Sequence, residues 1–156
     1  MRIFADTNWL VAGYFVKTDQ GRSEIVRNFS ARCDAPWLIS PVVWLECQNI
    51  FSGIAREPNP PEWRNFQADI GTKLLVPEVT WDAMNIKAKE LLNRFSHKAR
   101  LGTFDVMLVA SALKADATHF LCFDTQSNLR ALAAVLKLKV FPELTPEDKR
   151  RISVLR

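Results

Sequence analysis

Phe4-Ala5-Asp6-Thr7, near the start of the chain, and Cys122-Phe123-Asp124-Thr125, towards its end, decide the reading of this sequence. Each is a short apolar run that delivers a carboxylate at its carboxyl end. Such runs read as buried strands. In an open parallel α/β sheet, ligands bind outside the carboxyl ends of the strands. An ionised carboxylate beside an apolar core is costly unless something cationic compensates it. Two such ends point to one shared hard metal ion.

Outward from these runs, strands alternate with helices. Residues 2–6 predict a strand, 9–15 a helix, 17–21 a loop, and 22–32 a helix with Ile25, Val26 and Phe29 on one face. Residues 35–39 read as a second strand. Ser40-Pro41 is a helix start, Ser as N-cap and Pro at the first helical position, for a helix to about 54. Pro58-Asn59-Pro60-Pro61 breaks the chain before a helix over 62–70, closed by Gly71. Residues 74–79 read as extended, with Pro77 confining them to a sheet edge. Thr80 caps a helix over 81–96 whose stripe is Met84, Ala88, Leu91, Leu92 and Phe95. A helix over 104–114, a strand over 119–123, a helix over 127–136 and a strand over 139–141 follow. The pattern predicts one α/β domain over 1–145, a parallel sheet flanked by helices on both faces. Residues 146–156 are polar and basic and read as a loosely held tail.

Composition excludes several classes. The 156 residues are 48% hydrophobic and 24% charged, ordinary for a globular protein that can bury a real core. No apolar stretch is long enough to span a bilayer. The N-terminus turns acidic too soon for a signal peptide, so a cytoplasmic location without a membrane partner is expected. Three cysteines in unrelated contexts argue against a disulfide framework. Two histidines without metal-ligand spacing argue against zinc. A net charge of +4 is compatible with a polyanionic partner.

Four carboxylates stand out by position. Asp6 and Asp124 end strands, where helix capping is the bland explanation of each alone. Glu46 has Val42, Val43 and Ile50 at its helical neighbour positions, so it lies on the face that should pack on the sheet. No basic residue accompanies it before Arg56, and an unpaired Glu on a core stripe is expensive. Asp105 occupies a first helical turn, where the dipole favours an acid. It also precedes Val106-Met107-Leu108-Val109-Ala110, apolar nearly all round and hence buried.

These residues resemble the PIN-domain family, and within it the small VapC-like toxin ribonucleases. The matching pieces are Asp6-Thr7-Asn8 after the first strand, Glu46 in its helix, Asp105 opening an apolar helix with Ala110 and Ala112, and Asp124 after the last long strand. The resemblance implies a metal-dependent endoribonuclease with Asp6, Glu46, Asp105 and Asp124 as its acidic site, and Asn8 and Thr7 lining it. Members often carry Thr or Ser two residues before the fourth acid, where this chain has Cys122. That exchange is expected to remove a good hydroxyl hydrogen bond. Mg²⁺ or Mn²⁺, hard ions that prefer carboxylate and water oxygens, are the expected cofactors. The family further implies a toxin of a toxin–antitoxin pair, with a cognate antitoxin protein and a homodimer.

Lys87, Arg94, Lys98 and Arg100 are candidates to hold RNA phosphates. Trp9 and Tyr14 are candidates to stack bases or line a partner groove. Two alternatives stand beside the nuclease. One is a catalytically silent PIN-like module that binds RNA or protein. The other is an aspartate-dependent phosphatase, disfavoured because Asn8 stands where that chemistry wants a second Asp.

Overall fold

Burial begins at the first strand. Ile3, Phe4 and Ala5 of β1 (Ile3–Ala5) have no exposed surface, as the central strand of a parallel sheet requires. The structure is a computed structural model that describes residues 1–156. β1 pairs in parallel with β2 (Trp37–Leu38) on one side and with β4 (His119–Leu121) on the other. β3 (Leu74–Leu75) lies beyond β2, and β5 (Lys139–Phe141) beyond β4, giving the order β3-β2-β1-β4-β5. The order reverses between β1 and β4. Their carboxyl ends therefore flank a topological switch point, where such sheets open a crevice.

Two groups of helices cover the sheet. α1 (Thr7–Tyr14), α2 (Gln20–Ser30), α3 (Pro41–Ala55) and α4 (Pro61–Asp69) pack among themselves. So do α5 (Trp81–Phe95), α6 (Thr103–Lys114), α7 (Leu129–Val135) and α8 (Pro146–Leu155). Right-handed crossovers in a sheet whose order reverses put two such groups on opposite faces. The predicted starts hold: Ser40 accepts from the Val43 N–H with Pro41 at the first turn, and Thr80 accepts from the Ala83 N–H. β3 is an edge strand, as Pro77 suggested.

Two expectations change. Residues 146–156 are not a loose tail, because Pro146–Leu155 form α8. Thr145 and Asp148 make a reciprocal capping box, and Ile152 and Leu155 are buried against the rest of the molecule. Its polar composition hid a short amphipathic helix whose burial rests on two apolar residues and one acid. Trp9 offers no surface to a base: it is fully buried, stacked on Phe123 at 4.8 Å, with edge contacts to Phe29, Trp37 and Phe141. Tyr14 stays half-buried and lines a second groove, packing edge-on against Phe66 and donating to Asp69 Oδ2 at 2.7 Å. No helix is long and apolar enough to cross a membrane.

Candidate active site

At the switch point lies a cleft of about 450 Å³. Asp6, Glu46, Asp105 and Asp124 all line it, together with Thr7 and Asn8. Four elements distant in the chain supply the acids: the end of β1, the middle of α3, the first turn of α6 and the loop after β4. Ile50, Phe104, Leu108 and Leu129 form part of an apolar wall beside them.

Asp6 is 4% exposed. Its Oδ1 accepts from the Thr7 N–H at 2.7 Å, and its Oδ2 accepts from the Cys122 thiol at 3.1 Å. Burial pushes its carboxyl up to about 7. The Cys122 and Thr7 hydrogen bonds oppose this, and the charges of Glu46 and Asp105 add to it. The Thr7 hydroxyl donates to Glu46 Oε2, so the first residue of α1 fixes the acid on α3. Glu46 is thus held by a hydroxyl, and no salt bridge of the chain involves any of the four acids.

Asp105 is only partly buried, and burial raises its carboxyl first, with the charges of Asp124 and Glu46 adding and Ser127 opposing. It folds back over Gly102, where an added Cβ would sit 3.0 Å from Asp105 Oδ2. Asp124 differs from the rest. Burial raises its carboxyl, but the Ser127 side chain, the Gln126 and Ser127 N–H groups and the charge of Arg151 outweigh this, and it titrates below the ordinary range. Both N–H groups donate to Oδ1, at 2.7 and 3.2 Å. α7 begins only at Leu129, so Asp124 closes an Asx turn and is not the helix cap.

Cys122 ties three of the site's residues together, which its place in the sequence does not reveal. Its buried thiol meets Asp6 Oδ2, lies 3.7 Å from Asn8 Nδ2 and accepts from the Asp124 N–H at 3.3 Å. A thiol thus stands at a hydrogen-bonding hub, and its hydrogen bonds are weaker than a hydroxyl's would be. Burial, and then the Asp6 charge, keeps this thiol well above its usual pKa, so it stays protonated and donates. Asn8 completes the link by accepting from the Phe123 N–H at 2.8 Å. Only the tie to Asp124 has a sequence signal, since residues 122 and 124 fall on the same side of an extended run.

The four basic candidates sit elsewhere. Lys87 pairs with Glu90 at 2.8 Å, and Arg94 lies over the Phe95 ring. Lys98 donates to the Leu155 and Arg156 carbonyls at the end of α8. The Arg100 carbonyl accepts from Asn128 at 2.8 Å. None of the four lines the cleft. The cation that does is Arg22, half-exposed, paired with Asp19 at 3.3 Å and 5.4 Å from the Phe123 ring centre. Nothing in the sequence tied a residue of α2 to the strand ends.

The donor set suits a hard, hydrated cation. No three carboxylate, thiol or imidazole groups of the chain are gathered tightly enough to hold an ion by themselves. A Mg²⁺-type ion does not need that, because it keeps several waters and takes one or two carboxylates directly. What the cleft does show is a buried carboxylate without a cationic partner, among three more acids. That is the charge imbalance a divalent ion corrects.

A model of the PIN domain matches residues 3–135 of the chain. Neither the curated proteins nor the solved structures compared with the chain match it.

Proposed function

The chain belongs to the PIN-domain family, whose members are nuclease-type hydrolases, and from that premise we propose a Mg²⁺- or Mn²⁺-dependent endoribonuclease cleaving RNA phosphodiester bonds. The observation that carries the proposal is the meeting of Asp6, Glu46, Asp105 and Asp124 on one cleft with no ion pair to any of them. These four acids would hold the metal, one or two of them directly and the others through its bound waters. When bound, the ion supplies a Lewis acid for the scissile phosphate and a water acidic enough to serve as nucleophile at neutral pH.

The chain's own groups prepare the site. Thr7 and Cys122 hold both oxygens of Asp6 and one of Glu46, which limits how far these acids can move apart. Asn8 pins the backbone at Phe123 and so fixes the strand end that presents Asp124. Arg22 offers the cleft a positive charge for a phosphate, and its exposed bridge to Asp19 is weak enough to yield to one. Phe104, 39% exposed beside Asp105, offers a flat apolar face to an unpaired base.

The finer reading is a toxin held in check by a cognate antitoxin, acting as a homodimer. Its support is the resemblance of the four-acid pattern to small toxin ribonucleases.

The test is cleavage of a mixed RNA substrate in Mn²⁺ by the purified chain and by Asp6→Asn. Wild type should cut internally and stop on chelation. The variant should lose cleavage by at least ~10³-fold while melting as a folded protein. Undiminished cutting by Asp6→Asn sinks the assignment. Metal uptake with no RNA cut would favour the silent binding module. For the toxin role, induced wild type should arrest growth and induced Asp6→Asn should not.

A further inference from the structure

We propose that Arg151, on the helix beyond the residues matched to the PIN domain, is a positioning residue that sets Asp124 for the metal. The inference rests on the metal-dependent reading given above. Arg151 Nη1 donates to the Thr125 carbonyl at 2.8 Å and to the Ser127 carbonyl at 2.6 Å. These peptides belong to the turn whose N–H groups, from Gln126 and Ser127, grip Asp124 Oδ1. One guanidinium nitrogen thus clamps the turn from its carbonyl side while the turn clamps the carboxylate from its amide side. Oδ2 takes neither backbone bond and is the oxygen left to meet a cation.

Arg151 is itself held. Glu147, one helical turn earlier, lies 3.4 Å from its Nε, and only 22% of the Arg151 side chain is exposed. A second anchor acts on the other side of Asp124. Arg130, fully buried, donates from Nη1 to the Cys122 carbonyl at 2.7 Å and pairs through Nε with Asp148 of α8 at 3.1 Å. α8 therefore grips the strand end just before Asp124 through Asp148 and Arg130, and the turn just after it through Arg151. A rigid seat for the carboxylate matters because a loop acid with free rotamers gives part of its attraction for the ion to ordering entropy.

The competing explanations differ in sign. If Arg151 were only a nearby positive charge, its removal would relieve repulsion and tighten cation binding. If it served only to dock α8, its removal would lower stability and leave metal affinity alone. A positioning role predicts weaker metal binding with stability nearly kept.

The probe is Mn²⁺ alone, titrated into wild type, Arg151→Ala and Arg151→Lys, with free Mn²⁺ read by electron paramagnetic resonance and melting followed in chelator. Arg151→Ala should weaken Mn²⁺ binding by ~10-fold or more. Its melting temperature should stay within ~4 °C of wild type. In RNA cleavage it should raise the Mn²⁺ needed for half-maximal rate, with the rate at saturating Mn²⁺ mostly recovered. Arg151→Lys keeps the charge but loses the Nε contact to Glu147 that holds the side chain against the turn, and should fall between the two. Affinity in Arg151→Ala equal to or tighter than wild type overturns the proposal. Should Arg151→Ala fail to fold, Arg151→Lys decides, and unchanged affinity there overturns it. Absence of Mn²⁺ binding to wild type overturns the nuclease reading and this proposal together. Normal wild-type binding with unaltered variants overturns this proposal alone.

Discussion

Asp6 is the most buried of the four acids that line the cleft. Its carboxyl titrates near 7 in the folded chain against an ordinary 3.8, with burial the main cause. The folded state therefore binds an extra proton between these values. The stability this contributes is complete below about pH 3.8 and is lost as the pH rises through about 7. The loss amounts to at most ~4 kcal/mol. Asp6→Asn keeps the shape and removes the titration. In chelator at pH 8 the variant should melt higher than wild type, by a shift on the order of 5 °C. At pH 4 the two should converge. Equal melting at both pH values would mean that Asp6 is better solvated than its burial implies. Gly102 makes a second point at this scale. Gly102→Ala puts a methyl 3.0 Å from Asp105 Oδ2. The carboxylate can swing aside, so melting should shift by less than ~1 kcal/mol equivalent. Mn²⁺ affinity should fall several-fold, on the order of 1 kcal/mol. Unchanged Mn²⁺ affinity would remove Asp105 from the ion's neighbourhood.

At the scale of elements, the strand ends carry the acids and the flanking helices hold them still. Thr7, opening α1, ties β1 to α3 through Glu46, so the first helical turn works as a strut across the cleft. α8 has a comparable task on the far side. The Arg130–Asp148 pair that docks it is almost wholly buried, with Arg130 also donating to the Cys122, Pro142 and Glu143 carbonyls. Removing one partner of such a pair strands a buried charge, which costs ~3–5 kcal/mol. Asp148→Asn keeps an acceptor for Arg130 and for the Thr145 cap, and it should still fold. Its melting temperature should drop by ~10 °C or more, measured by calorimetry. A drop of only a degree or two would show that the three carbonyls suffice for Arg130.

For the whole molecule, the main electrostatic fact is an acidic cleft in a chain of net charge +4. A divalent ion that binds the folded state alone stabilises it by mass action. Saturating Mn²⁺ should raise the melting temperature of wild type, and the shift should shrink strongly in Asp6→Asn. Because Asp6 must release its proton to meet a cation, apparent Mn²⁺ affinity should climb between pH 5 and the Asp6 midpoint near 7, then level off. A pH-independent affinity over that range would separate Asp6 from the ion. The sequence by itself determined the sheet's strands and most helix starts. An apolar run, an N-cap or a Pro at a first turn acts over a few residues, as with Ile3-Phe4-Ala5 and Ser40-Pro41. It also marked the four acids, since a carboxylate on an apolar stripe is visible without coordinates. Only the tertiary structure decided what lies around them. That Cys122 joins Asp6, Asn8 and Asp124, that Arg22 reaches the cleft while Lys87, Arg94, Lys98 and Arg100 do not, and that a polar stretch at 146–155 folds to clamp a turn two dozen residues earlier are all matters of contact between distant segments. Local propensity and pattern cannot specify these contacts, because their free energy exists only once the sheet has brought the segments together.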